Sequence, residues 1–493
     1  MEPRAVFNVI SSALVGAALT GLALRWLGGE PPEPPPEPPQ PRPRVSDPTV
    51  VLHDPLPDRP AAPRGAPNLV LVIGCTLRKD QTSVYGGPAV TTPFLKELSE
   101  QGTHFADMVN AAPWTRAAST AILTGHHPIS LGMVDPGPAR SEQRLPEQVV
   151  TLAEHLQAHG WATAGLTTNP NLNAIYGFDQ GFDAYRQLEH LWRQRNIKLP
   201  GTLAVPWALE LLDGLEPGRP VFLQLVLVDA HLPFKAPDPL MEAVADPSVP
   251  ELVVGYRAVL RRLDDAVAQL AEALEQRGMD RDNTVFVVVN DHGEGLDWPR
   301  HHGRSHGRYL APSAVGGVVV LRGPKVAVGH TVEGLASQID LLPTLSSLLG
   351  IEPPEGPGHD WSAQVRGAQQ GTSRGEVYTD TWFRDVDRAA IYTDALACQL
   401  EFSEPRPDSG PGFVTGCFDR RLDPLHAEPL VGDPPPGEAL MQRLRQWRIE
   451  RAAEGASVGG GELVEPSAAL NQQLEALGYL EGPEPEPGAP DRD

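Results

Sequence analysis

Five apolar runs that alternate with helical patterns restrict the fold of this chain more than any other feature of its sequence. The runs are rich in Val, Leu and Ile without polar alternation, which is typical of parallel strands buried on both faces. They predict strands at Leu69–Ile73, Ala162–Thr167, Val221–Val228, Val285–Val289 and Val315–Leu321. Helical spacing of apolar residues predicts helices at Pro93–Gln101, Val150–His159, Leu252–Arg277 and Ile339–Leu349. This alternation indicates an α/β fold whose mostly parallel sheet is covered by helices on both faces.

The N-terminal part of the chain has a different composition. Residues 5–24 are uncharged and mostly apolar, and a helix needs about 20 such residues to span a bilayer. Two interpretations are open, an uncleaved transmembrane anchor over 5–27 or a secretory signal that is removed. The absence of a convincing cleavage site favours the anchor. A Pro/Glu-rich linker is predicted at 28–66, where an extended polyproline spacer would hold the next domain away from a membrane.

Three further boundaries follow from changes in pattern. The main α/β domain is predicted at 67–372, and a C-terminal subdomain of shorter strands and one helix, Glu438–Ala452, at 373–481. The Pro/Glu-rich tail at 482–493 is predicted to be disordered. The formal net charge of −23 argues against a nucleic-acid partner.

Polar residues follow the first strand at the place where a parallel sheet presents its site residues. The run ends at Gly74–Arg78, with the letters GCTLR. About forty residues later, Thr115 precedes a helical run of small residues, Ala117–Leu123. A hydroxyl group at a helix N-terminus is well placed to meet an anion or a metal.

More motifs follow in a fixed order along the chain. They are Pro113–Gly125, Gly165–Asn171, Gly177–Asp183, Asp229–Phe234, Asn290–Glu294, His306–Arg308, Ile339–Thr344 and Leu474–Leu480. This series resembles the sulfatase family of the alkaline phosphatase superfamily, in the branch whose first strand ends in Asp-Thr-Leu-Arg-x-Asp. The resemblance covers 67–350 and, more weakly, 375–482. It implies an alkaline-phosphatase-like three-layer sandwich with a mostly parallel central sheet and a small C-terminal α+β subdomain.

The resemblance also implies one divalent metal ion, with Asp291, His292, Thr115 and Cys75 as its ligands. Cys75 stands where the branch has Asp. A thiolate binds Zn well but binds Mg or Ca poorly, so Zn or Mn is favoured over Ca or Mg. The alternatives are that the substitution removes the metal site, or that Cys75 is an ordinary buried side chain.

Thr115 occupies the position of the family's nucleophile. The Cys/Ser-x-Pro-x-Arg pattern that yields formylglycine is absent, whereas metal-bound Thr is a plausible nucleophile. In Thr-bearing relatives the nucleophile is followed by Leu-Pro-Ser-His, and here Arg-Ala-Ala-Ser replaces these residues. Arg116 or Arg78 would then have to stabilise the anion in their place. His231 and His306 match histidines that face the substrate, and His231 could protonate the leaving group. The alternative role of Thr115 is a helix N-cap.

The number and the positions of the cysteines indicate whether disulfides can form. The chain has three cysteines, too few for a disulfide framework. Cys398 and Cys417 could lie on neighbouring strands and pair in an oxidising compartment, which would leave Cys75 unpaired.

Two functions are consistent with these observations. The first is a membrane-tethered hydrolase of sulfate or phosphate esters, with its main domain periplasmic or at the cell surface, or secreted if the N-terminal segment is cleaved. The second is an inactive protein that keeps the fold as a binding or assembly module. Cys75 and the altered residues after Thr115 favour the second, and the retained motif residues favour the first.

Overall fold

The computed structural model describes residues 49–53, 58–134, 142–188, 198–296, 306–368, 373–383, 386–402, 415–432, 436–458 and 463–477. The predicted anchor at 5–27 and the predicted tail at 482–493 lie outside the described residues. None of the helices in the described ranges combines the length and the apolar character needed to cross a bilayer. The part of the predicted linker that is described contains a short strand, Val50–Leu52, at one edge of the main sheet.

Sixteen strands are described, and ten of them form the main sheet. They are β1 Val50–Leu52, β2 Asn68–Gly74, β3 Thr103–Val109, β4 Glu142–Gln143, β5 Ala162–Thr167, β6 Ala184–Gln187, β7 Val221–Leu227, β8 Thr284–Asn290, β9 Gly316–Gly317, β10 Val319–Arg322, β11 His330–Ser337, β12 Val377–Phe383, β13 Val386–Tyr392, β14 Leu396–Glu401, β15 Gly416–Asp419 and β16 Leu463–Val464. The order in the main sheet is β1-β6-β5-β7-β2-β8-β10-β3-β11, with β9 paired to β3. The central strands β6, β5, β7, β2 and β8 are parallel to their neighbours within this group.

The described residues also form eleven α-helices. The α-helices are α1 Pro93–Gln101, α2 Thr115–Thr124, α3 Leu152–Ala158, α4 Gly201–Asp213, α5 Asp238–Ala243, α6 Glu251–Glu275, α7 Pro312–Val315, α8 Leu341–Leu349, α9 Ser362–Val365, α10 Glu438–Ser457 and α11 Ala468–Ala476. Short 3₁₀ helices lie at Lys79–Gln81, Ser83–Tyr85, Pro128–Leu131, Pro170–Leu172, Ala174–Tyr176 and Gln338–Asp340.

Alternate side chains of β2 enter two different hydrophobic cores. Leu69, Leu71 and Ile73 pack on one face of the sheet with apolar residues of α2, α3 and α8. Val70 and Val72 pack on the other face with residues of α1, α4 and α6. Because successive side chains of a strand point to opposite faces, a strand that is apolar throughout requires a cover on both. The predicted three-layer α/β fold is therefore confirmed.

One predicted strand was wrong. The run Val315–Leu321 is divided between the last residue of α7, the two-residue strand β9, and β10. The cause lies in Asn290 at the end of β8, whose Oδ1 accepts from Val318 N at 2.7 Å and whose Nδ2 donates to Gly316 O at 2.9 Å. At Gly316 and Val318, hydrogen bonds to the Asn290 side chain replace hydrogen bonds to the backbone of a neighbouring strand, and the strand is interrupted there. The spacing of apolar residues cannot reveal such a break.

The C-terminal subdomain is a four-stranded antiparallel sheet, β12-β13-β14-β15, covered by α10. Cys398 on β14 is the register partner of Cys417 on β15, and a disulfide joins them, as the sequence suggested. Helix α11 returns to the main domain, where Leu470, Leu474 and Leu477 are part of the core beneath α2 and α8.

Candidate active site

The carboxyl ends of four neighbouring parallel strands bring the candidate site residues together. Strand register aligns Gly74 at the end of β2 with Leu227 on β7 and Asn290 on β8. The next residues along the chain are Cys75 after β2 and Asp291 after β8. His231 follows β7, and Asn169 follows β5. In open α/β sheets this edge is where ligands bind.

A left-handed turn after β2 directs the backbone towards the carboxylate of Asp291. Thr76 has φ 57°, which is uncommon for a non-glycine residue. Its N–H donates to Asp291 Oδ1 at 3.0 Å, and its carbonyl accepts from Tyr256 of α6 at 2.6 Å. Asp291 Oδ1 also accepts from His292 N at 2.6 Å. The carboxylate is thus fixed through Oδ1, while the buried Oδ2 accepts no hydrogen bond from the described residues.

His292 presents its Nε2 atom to the same point. Its Nδ1 lies 2.8 Å from Gly293 O, and because a carbonyl oxygen only accepts, Nδ1 carries the proton. Burial lowers the pKa of His292 to about 4, so the ring is neutral at pH 7 and Nε2 has a lone pair. Nε2 lies 3.5 Å from Asp291 Oδ2. This is the tautomer in which an imidazole binds a metal.

The Cys75 thiol completes the cluster. The ligand atoms of Cys75, Asp291 and His292 all lie within 4.8 Å of one another, and among the described residues they form a group able to hold a metal ion. Burial, and after it the charge of Asp291, raises the pKa of Cys75 well above its usual value. Without a cation, the thiol therefore keeps its proton at neutral pH.

Thr115 is the first residue of α2, and its hydroxyl faces the cluster. Thr115 Oγ1 lies 3.2 Å from His292 Nε2 and 3.3 Å from Cys75 Sγ. Every residue of α2 is buried, so the helix places this hydroxyl inside the protein. The preceding residue, Trp114, is the N-cap and makes no side-chain capping bond. The alternative role of Thr115 as an N-cap is thus wrong, because it lies one position inside the helix.

The two predicted substrate-facing histidines lie beside the cluster. The ring centroids of His292 and His306 are 4.4 Å apart, and those of His306 and His231 are 4.8 Å apart. His306 Nδ1 lies 3.1 Å from Oε1 of the buried Glu294, which orients the ring. Burial lowers the pKa of His231 well below its usual value. His231 is therefore neutral at pH 7, with Nδ1 3.1 Å from Leu232 O.

Among the described residues, the two predicted arginines donate to groups other than the Thr115 hydroxyl. Arg78 donates to both carboxylate oxygens of Asp80, at 2.7 and 2.9 Å, and to Glu294 O at 3.3 Å. Arg116 donates to Asn171 Oδ1 at 3.2 Å, and its guanidinium lies 4.0 Å from the centre of the Tyr176 ring. These contacts place Arg78 behind Glu294 and Arg116 beside the loop that follows β5.

Sequence reasoning missed three buried residues of this site. Asn169 donates to Cys75 Sγ at 3.1 Å and to Thr115 Oγ1 at 3.4 Å. Glu294 was seen as part of a motif but not as the partner of His306. Lys198 is 6% exposed, and its Nζ has no hydrogen-bond partner among the described residues. Asn169 follows an apolar strand, which is a usable signal, but Lys198 has none because its neighbours carry no recognisable pattern.

The donor set fits one divalent metal ion. Asp291 Oδ2 is a buried acceptor without a hydrogen bond, His292 offers a lone pair, and Cys75 and Thr115 offer a thiol and a hydroxyl group within a few ångströms. Sulfur, nitrogen and oxygen ligands together suit a borderline or soft ion such as Zn²⁺ better than Mg²⁺ or Ca²⁺.

Gly293 offers a test of how tightly the backbone holds this cluster. A Cβ atom at Gly293 would lie 1.8 Å from Ser313 O, so Gly293→Ala must move the Asp291–His292 turn. Overpacking of this kind destabilises by about 1–3 kcal/mol, and we expect the variant to lose metal as well. Gly214→Ala is the matched control, because its Cβ would make only an ordinary contact, 3.4 Å from Leu211 O. Denaturant unfolding and metal content check the pair. Equal stability and equal metal content in the two variants would contradict the prediction.

The chain is similar to known proteins over most of its main domain. The family model described as Sulfatase matches residues 67–351. Arylsulfatase A of Bos taurus is 28% identical over 343 residues, which cover 58% of this chain and 65% of the bovine protein. The ulvan-active sulfatase of Formosa agariphila is 23% identical, over 75% of this chain and 78% of its own length. The chain spans slightly less than two thirds of the length of the first curated relatives.

A solved structure shows the same fold at lower identity. The phosphonate monoester hydrolase of Agrobacterium radiobacter superposes with a TM-score of 0.64 at 17% identity, over 79% of this chain and 96% of that protein. The family match covers more than half of the chain and contains Cys75, Thr115, Asp291 and His292. On this evidence the chain belongs to the sulfatase family.

Proposed function

We propose that this protein is a metal-dependent hydrolase of sulfate or phosphate esters, with Thr115 as its nucleophile. The observation that carries the proposal is the position of the Thr115 hydroxyl, 3.2 Å from His292 Nε2 and 3.3 Å from Cys75 Sγ. A buried threonine in an ordinary core would not face a thiol, an imidazole lone pair and a carboxylate oxygen that lacks a hydrogen bond.

Cys75, Asp291, His292 and Thr115 would hold the ion, with Zn or Mn favoured over Ca or Mg. Such an ion, when bound, lowers the pKa of a ligated hydroxyl group and neutralises charge on the transferring group. Asn169 holds the Thr115 oxygen and the Cys75 sulfur through one amide group, which fixes the direction from which Thr115 attacks the sulfur or phosphorus atom.

Proton transfer to the leaving group is assigned to the histidine pair. We assign the transfer to His306, because the Glu294 carboxylate, 3.1 Å from its Nδ1, holds the ring in place. His231 is neutral at pH 7, since burial lowers its pKa. We therefore assign His231 to contact with the ester oxygens rather than to protonation of the leaving group.

The alternative, an inactive member that serves as a binding or assembly module, also has an observation in its favour. The two arginines nearest the motif are engaged elsewhere, Arg78 with Asp80 and Arg116 with Asn171 and Tyr176. Neither directs its described hydrogen bonds to Thr115. The grouping of Cys75, Asp291 and His292 into a set able to hold a metal, with the Thr115 hydroxyl beside it, favours the enzyme.

An extracytoplasmic location on a membrane anchor is part of the proposal. The Cys398–Cys417 disulfide supports an oxidising compartment, and the apolar residues 5–24 followed by a Pro/Glu-rich spacer support a tether. Sulfatases and a phosphonate monoester hydrolase among the similar proteins support an oxyanion ester as the substrate.

Turnover with added metal tests the proposal. The purified protein is assayed with an aryl sulfate and an aryl phosphate, with Zn²⁺ or Mn²⁺ and after chelation. We expect hydrolysis of at least one ester, lost on chelation and restored by Zn²⁺ or Mn²⁺. Protein that binds metal but cleaves neither ester would favour the inactive module, and protein that neither binds metal nor cleaves an ester would overturn the proposal.

A further inference from the structure

Lys198 is a buried cation that the chemistry assigned above does not use. The residue lies three positions before α4 and is 6% exposed. Its Nζ makes no hydrogen bond to any described residue. A buried ammonium group without a hydrogen-bond partner is strongly unfavourable, so the presence of a lysine here calls for an explanation.

Asp229, the acid with the largest electrostatic effect on Lys198, has other partners. Asp229 is fully buried, and its carboxylate accepts from Arg262 Nε at 2.7 Å and from Gly201 N at 2.9 Å. Asp229 is thus already paired with a guanidinium group and bonded to the first residue of α4. The start of α4 is also held tightly, because a Cβ at Gly201 would lie 2.9 Å from Asp229 Oδ2. The backbone that carries Lys198 is therefore fixed beside the site.

The ammonium group interacts electrostatically with groups of the candidate active site. The groups with which it interacts electrostatically are Asp229, Arg262, Glu294 and Cys75. It also contributes to the lowered pKa of His231, after burial and His306. Cys75, Glu294 and His231 follow the carboxyl ends of β2, β8 and β7. Gly201, three residues after Lys198, donates to Asp229 after β7, so the buried Lys198 lies beside the same end of the sheet.

We propose that Lys198 binds an anionic oxygen of the substrate's sulfate or phosphate group. The inference rests on the proposed function and deepens it, because it identifies the cation that takes over anion binding when Arg78 and Arg116 are engaged elsewhere. The ligand class is a tetrahedral oxyanion, either the ester group or the free inorganic product. Burial lowers the pKa of Lys198 to about 7, so the charged form is present below that pH and a bound anion would favour it.

The test compares Lys198→Met and Lys198→Arg with the wild type. Binding of inorganic phosphate is measured by calorimetry at pH 6.5, with and without equimolar Zn²⁺. Loss of a charge-assisted hydrogen bond predicts that Lys198→Met binds phosphate more weakly by on the order of 10- to 100-fold. Lys198→Arg should recover most of the affinity. Thermal unfolding checks folding, and Lys198→Met should be at least as stable as the wild type, because it removes an unpaired buried charge.

Lys79→Met is the matched control. Lys79 is also a lysine with a buried amino group, but its Nζ donates to Ala106 O at 2.7 Å and faces another part of the protein. Unchanged phosphate affinity in this control, with weaker binding in Lys198→Met, supports the inference. Equal phosphate affinity of Lys198→Met and the wild type, or no phosphate binding by the wild type, would overturn it. Ester turnover by the wild type is measured separately. The hydrolase function and anion binding by Lys198 are therefore tested by different results.

Discussion

Thr115→Ala is expected to abolish ester hydrolysis, with a loss on the order of 10⁵-fold, the scale on which removal of a covalent nucleophile acts in other hydrolases. The reason is local, because the hydroxyl is the one group of α2 that meets both His292 and Cys75. Initial rates with the better aryl ester, at saturating metal, give the measurement. Thr115→Ser keeps the hydroxyl group and should retain activity within about two orders of magnitude.

A second threonine on the same helix controls for loss of a buried hydroxyl. Thr124 Oγ1 donates to Thr120 O at 2.7 Å, one helical turn back, and lies at the far end of α2. Thr124→Ala removes the same atoms from the same helix without touching the cluster. Its rate should stay close to that of the wild type. A Thr115→Ala protein with wild-type rates would refute the nucleophile assignment outright.

Cys75→Asp is expected to change the metal preference of the site from Zn²⁺ towards Mn²⁺, Mg²⁺ and Ca²⁺. The substitution replaces a soft thiolate with a hard carboxylate, and hard cations prefer oxygen ligands. We expect the ratio of Zn²⁺ to Mg²⁺ affinity to fall by roughly 100-fold or more, the upper end of what a change of ligand shell produces. Equilibrium binding of each metal measures it, and Cys75→Ala separates loss of the thiol from gain of the carboxylate.

The wild type and Cys75→Asp should also differ in how their metal affinity depends on pH. Burial and the charge of Asp291 raise the pKa of Cys75, so the metal must displace the thiol proton, and the affinity of the wild type should increase with pH by up to about tenfold per unit. His292 adds no dependence above pH 5, because its pKa is about 4. The affinity of Cys75→Asp should be nearly flat between pH 6 and 8. Identical pH profiles for the two proteins would show that the thiol is not a ligand.

The fold could be predicted largely from the apolar runs. Strand β5 and helix α1 have the predicted bounds, and β2, β7 and β8 differ from prediction by one residue at one or both ends. Strands β3 and β11 were not predicted, although they are parallel neighbours. The polar residues Thr103, His104 and Asp107 interrupt the apolar residues of β3 without a regular period. The segment therefore matches neither the alternation of a half-buried strand nor the continuous apolar run of a fully buried one.

The candidate site could be predicted in part, because some of its residues directly follow predicted strands. Cys75 and Asp291 each follow a strand directly, so the strand ends locate them. Thr115 and His306 were recognised from motifs, and only the three-dimensional arrangement places them beside Asp291. Lys198 lies in a connection whose position depends on Gly201 packing against Asp229 and Ala266, and no local pattern encodes that contact.

The most direct measurement of the central claim is anomalous scattering at the zinc edge from crystals of the protein grown with equimolar Zn²⁺. The account predicts one strong peak between Cys75 Sγ and Asp291 Oδ2, about 2.3 Å from the sulfur and about 2.0–2.2 Å from the oxygen and from His292 Nε2. Thr115 Oγ1 should be the fourth ligand atom in contact with the same peak. Crystals of zinc-treated protein in which Cys75, Asp291 and His292 are ordered but no peak lies between them would contradict the metal site and the hydrolase built on it.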